Sequence, residues 1–114
     1  MTLLHVCSYI FNMRFDSTKE LSKKDVESFI RDIVETGKVL IISKHAKQRM
    51  KERNYTIQDV QFILTHGHAQ SSEFNDFAKN WKYTFEGNDL DGDTGSVVIA
   101  IANHYSAVII TVLG

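Results

Sequence analysis

The sequence predicts an α+β fold in which helices pack on one face of an antiparallel sheet. Three observations lead there. Apolar residues between Val26 and Val34 recur at helical spacing, the apolar period changes to two after Gly67, and helical segments are followed by a run of strand segments.

The elements follow in chain order. Ser22 is a candidate N-cap with Asp25 three residues on, a capping-box variant in which Asp replaces Glu or Gln, and Leu21 and Val26 occupy the staple positions. Val26, Phe29, Ile30, Ile33 and Val34 then form one apolar stripe, which Gly37 closes. Val39-Leu40-Ile41-Ile42 is a β-branched run, hence a short buried strand. Ser43 caps a second helix from Lys44 to about Arg53, and Asn54 tolerates a left-handed exit. Thr56 caps a third, with Tyr55 and Val60 as staple, Ile57, Val60, Ile63 and Leu64 inward, and Gly67 at its end.

His68 to Glu73 is the weaker of four strand candidates. Trp81, Tyr83 and Phe85 alternate with Lys82, Thr84 and Glu86, as in a half-buried strand. Val97 to Ile101 and Ala107 to Leu113 follow, joined by a turn at Asn103-His104. The expected order is α-β-α-α-β-β-β-β, with residues 1–20 as a lead-in and 21–114 as a single domain. Leu3 to Met13 is apolar but too short for a bilayer span, which takes about 20 residues. It lacks the flanks of a signal peptide and reads as a packed strand or helix or a partly ordered lead-in; Met13 is an alternative start.

At 114 residues the chain is of single-domain length. Its lone Cys7 has no partner within the chain, which points to a reducing compartment and excludes a cysteine-based zinc site. A cytoplasmic location without membrane contact is expected. The formal net charge is only −1, yet residues 38–53 hold six Lys or Arg and one acid, Glu52. That segment carries plus five, so the remainder carries minus six. The molecule is strongly dipolar.

The basic segment holds the candidate chemistry. His45, Arg49 and Arg53 stand at successive i+4 steps and form one helical ridge beside Ala46 and Met50, the helix's apolar positions. Two guanidiniums in line can clamp a phosphodiester, and an imidazole beside them can move a proton near neutral pH. Lys44, Lys47 and Lys51 fall on the far side, suited to steering an RNA backbone. The plain alternative is a solvated helix whose arginines pair with Glu52, Glu73 or Asp76. His66 and His68 are two apart, but no third metal ligand stands in register with them. Asp89-Leu90-Asp91-Gly92-Asp93 fails as a calcium loop, because Thr94 and Ala100 occupy the positions that need Gly and Glu, and it reads as a solvated hairpin connection. No metal site and no cofactor are expected.

The segment Ser43-Lys44-His45-Ala46-Lys47-Gln48-Arg49-Met50-Lys51-Glu52-Arg53, with the helix from Thr56 to Gly67 after it, resembles the bacterial family called domain of unknown function 4258. The hallmark of that family is H-A-x-x-R-M-x-E-R, a second helix and a β-meander. The resemblance runs from about Val39 to Leu113. The family is similar to RelE-type ribonuclease toxins, with a RelE/barnase-like sheet, and Gly37-Lys38-Val39 stands where the MqsR branch has its G-K-V strand. The resemblance implies metal-independent RNA cleavage by 2′-hydroxyl attack on the adjacent phosphate, in a toxin held in check by a cognate antitoxin. On that reading His45 transfers a proton, Arg49 and Arg53 support the phosphate, Lys82 or Tyr83 assists from the sheet, and Glu73 is a candidate base. A non-catalytic RNA- or protein-binding module on the same fold is the alternative.

Overall fold

The computed structural model describes residues 16–103 and 106–113. The apolar segment Leu3 to Met13 and the residue His104 lie outside them. Along the described chain the elements are α1 (Lys23–Glu35), β1 (Val39–Ile42), α2 (Lys44–Glu52), α3 (Ile57–His66), β2 (His68–Asn75), β3 (Asn80–Asn88), β4 (Thr94–Asn103) and β5 (Ser106–Leu113).

Each helix boundary has a local cause. The Ser22 hydroxyl accepts from the Asp25 amide at 3.1 Å and starts α1. Gly37, at φ +71°, ends it in a Schellman turn, with the Lys38 amide donating to the Ile33 carbonyl. α2 ends in the same way, with Asn54 at φ +57° and the Tyr55 amide on the Met50 carbonyl. α3 begins with a complete capping box: the Asp59 amide donates to the Thr56 hydroxyl, and the Asp59 carboxylate accepts from the Thr56 amide. The sequence predicts the Thr56 cap but not this reciprocal pair.

The five strands form one sheet in the order β1-β5-β4-β3-β2. β2, β3, β4 and β5 are antiparallel neighbours, but β1 pairs with β5 in parallel, Val39 opposite Ser106 and Ile42 opposite Ile109. The expectation of a purely antiparallel sheet is corrected here: the sheet is mixed. The reason is topological. β1 comes before α2 and α3 and the meander after them, so β1 joins the meander's last strand through a long crossover, which permits parallel pairing.

The three described helices all pack on one sheet face. Val26, Phe29, Ile30 and Ile33 of α1, Ala46 and Met50 of α2, and Val60, Ile63 and Leu64 of α3 join Tyr83, Phe85, Val97, Ile99, Ile109 and Val112 in one core cluster. Residues 16–21 run past the β2–β3 hairpin, where the Trp81 indole donates to the Thr18 carbonyl and the Ser17 hydroxyl to the Lys79 carbonyl. Gly67 sits where α3 meets β3. A Cβ there would lie 2.5 Å from the Glu86 carbonyl oxygen and 2.6 Å from that of Ile63, so only glycine fits.

Candidate functional site

α2 is positioned by its N-cap residue, Ser43. The Ser43 amide donates to the Ile109 carbonyl, its hydroxyl donates to the Ile110 carbonyl at 3.0 Å, and that same hydroxyl accepts from the Ala46 amide. One serine thus ties the sheet edge to the helix start. Ala46 and Met50 turn into the core, which forces the remaining positions of α2 outward. Lys44, His45, Lys47, Lys51 and Arg53 are exposed, and Arg49 is half-buried. Arg49 pairs with Glu52 at 3.5 Å, so one element of the solvated-helix alternative is present.

The electrostatics of the first turn run against helix preference. The N-terminus of a helix carries about half a positive charge, which acidic side chains stabilise. α3 follows the rule with Asp59 in its first turn, and α1 sets Asp25 beside Lys23 and Lys24. α2 has no acid there and places Lys44 and Lys47 at that end instead, with His45 between them. Cations are stacked on a positive helix end, a poor choice for folding and a good one for binding an anion.

The sheet does not bring its candidate residues to this ridge. Consecutive strand residues point to opposite faces. Tyr83 lies in the core on the helix face, so Lys82 lies on the other, where it pairs with Glu73 at 3.1 Å. That pair belongs to the face opposite α2. Tyr83 is on the correct face but beneath the start of α1. Its hydroxyl accepts from the Leu21 amide at 2.9 Å, and burial pushes its pKa above the usual phenol value. It lines a hollow of about 300 Å³ with Glu20, Ser22, Lys23, Ser71 and Ser72, while α2 packs on β5, two strands away. The expected concavity of His45, Arg49 and Arg53 with Lys82 or Tyr83 is therefore replaced by three separate locales.

The acidic loop has its own structural role. The Asp89 carboxylate accepts from the Asp91 and Asp93 amides, and the Leu90 amide donates to Asp59. Asp59 is held below the ordinary carboxylate pKa, first by the Thr56 amide, against a smaller opposing effect of burial, and then by the Leu90 amide and Thr56 hydroxyl. Tyr55 is raised by burial and then by its hydrogen bond to Asp89. The loop thus clasps the α2–α3 junction. Among the described residues no group of three or more His, Cys, Asp or Glu is gathered as a metal-binding set. His66 stacks on Phe62 at the end of α3, whereas His68, on β2, contacts Glu27 at 3.4 Å. Among the described residues no helix is long and apolar enough to cross a membrane.

No curated protein and no solved structure matches the chain. Residues 42–113, which include all of α2, α3 and the four-stranded meander, match the family described as domain of unknown function (DUF4258). With more than half of its length matched, and with the basic helix inside the match, the chain belongs to the DUF4258 family.

Proposed function

We propose that the chain is an RNA endonuclease of the RelE/MqsR type, a cytoplasmic toxin with a cognate antitoxin, in which the α2 ridge acts on the RNA backbone without a metal ion. The observation that carries this reading is the first turn of α2, where Lys44, His45 and Lys47 crowd a helix end that already favours anions. Such an arrangement lowers helix stability unless an anion is bound, and a polyphosphate backbone supplies one at each step. His45 is the ridge's proton-transfer group, and Arg49 and Arg53, one and two turns further along, supply forked donors for the phosphate oxygens.

In this chemistry the 2′-hydroxyl loses its proton to a base as its oxygen bonds to phosphorus. The bond from phosphorus to the 5′-oxygen breaks, and the leaving oxygen takes up a proton. The products are a 2′,3′-cyclic phosphate and a free 5′-hydroxyl. Charge builds on the non-bridging oxygens, where the guanidiniums contribute most. Glu73, Lys82 and Tyr83 take no part in this version, since their faces and partners lie elsewhere.

A second reading, an RNA-binding module without catalysis, is favoured by that same separation, because His45 gains none of Glu73, Lys82 and Tyr83 as acid-base partner. Incubation of the protein with a labelled RNA in EDTA, followed by analysis of the termini, decides between them. Cyclic phosphate ends that disappear in His45→Ala support cleavage. Salt-sensitive binding with intact RNA supports the module, and no binding at all ends both.

A further inference from the structure

β1 is an edge strand, hydrogen-bonded among the described residues to β5 alone. The Ser43 amide faces β5, through its bond to Ile109, so strand alternation turns Val39 and Ile41 the same way. The amides and carbonyls of Leu40 and Ile42 therefore point outward from the sheet. Side chains alternate too. Leu40 and Ile42 pack toward the core, while Val39 and Ile41 are 56% and 45% exposed on the face opposite the described helices. Edge strands are commonly protected by charge or proline. This one carries neither within Val39–Ile42 and presents two β-branched apolar side chains.

We infer that the β1 edge receives an extended, acidic protein segment, which adds as a further strand beside Leu40 and Ile42 and lays its carboxylates on the first turn of α2. Charge complementarity fixes the chemistry of the partner. A strand running past Ile42 meets Ser43 and then Lys44, His45 and Lys47 at a helix end without acids. A basic or neutral strand gains the backbone bonds alone, whereas an acidic one also neutralises that turn. The inference rests on the proposed function in one respect: the acidic segment and RNA compete for the same cations, so occupation of β1 would switch off RNA binding.

The test uses the full chain and an acetylated, amidated nonapeptide of three valines alternating with two threonines, flanked at each end by two glutamates. Amide hydrogen exchange should slow at Leu40 and Ile42 when the peptide is added. Replacing its glutamates by glutamines, or making Ile41→Glu, should weaken binding on the order of tenfold. Val39→Glu is the second variant, should Ile41→Glu fail to fold. Peptide binding without protection at Leu40 and Ile42 overturns the inference. So does an edge already protected in the free protein, whether by residues 3–13 or by a second copy detected in sedimentation. Displacement of labelled RNA by the peptide tests the shared surface. If RNA never binds, the functional reading falls, while amide protection still decides the fate of the edge.

Discussion

Reversing the charge of the α2 first turn should make the protein more stable and less able to bind RNA. Lys44 and Lys47 are exposed, so Lys44→Glu with Lys47→Glu removes no buried contact. Each change replaces a cation by an anion near the positive helix end, worth about 0.3–1 kcal/mol at a surface position. Lys47→Glu also turns the Lys47–Lys51 i,i+4 repulsion into an attractive pair in the preferred orientation, worth about 0.2–0.5 kcal/mol. With solvent screening, the double variant should gain about 1 kcal/mol, or roughly 4–8 °C in Tm. Two lost phosphate contacts should reduce the slope of log affinity against log salt by about 0.7 each for a single-stranded RNA. Urea melts and RNA titrations at several salt concentrations measure both quantities. A double variant that is less stable, or one that keeps its RNA affinity and salt slope, would refute the view that the turn trades stability for anion binding.

Arg49→Ala should abolish RNA cleavage by about 10²–10³-fold while costing less than about 1 kcal/mol, because its Glu52 partner is half exposed and surface pairs are worth little; single-turnover assays and urea melts separate the two effects. Asp59→Ala should cost about 1–2 kcal/mol at neutral pH through the loss of its capping-box bond to the Thr56 amide and its bond to the Leu90 amide. Since the folded-state pKa of Asp59 lies below its unfolded value, its contribution is present above pH about 4 and fades as pH falls through the folded value. The stability gap between wild type and variant should therefore narrow in urea melts at low pH, and a constant gap would contradict the hydrogen-bond account. Gly67→Ala should destabilise by more than about 2 kcal/mol, because two backbone carbonyls block the new methyl; an unchanged Tm would show that the α3–β3 junction yields easily.

Local signals in the chain determined much of this protein. Ser22, Ser43 and Thr56 cap helices because their hydroxyls reach amides three residues on, a geometry set by neighbours in sequence. Gly37 and Asn54 stand at left-handed exits for the same local reason. The alternation of Trp81 to Glu86 gave the faces of β3, and the spacing of His45, Arg49 and Arg53 gave the ridge with its outward lysines. Alternation alone even contained the fact that Lys82 and Tyr83 point to opposite sides.

Tertiary structure decided what no local pattern encodes. The parallel pairing of β1 with β5 joins residues more than sixty positions apart, so neither strand's sequence records the other's direction. Tyr83 carries the right group for chemistry, but the chain just before α1 places the Leu21 amide on its hydroxyl and α1 above it. The Asp89 loop looked like a solvated connection, and packing made it a clasp on Asp59 and Tyr55. Spacing along a helix fixes which side chains share a face. Which distant surface that face meets depends on how the strands are ordered, and that order emerges only when the whole core closes.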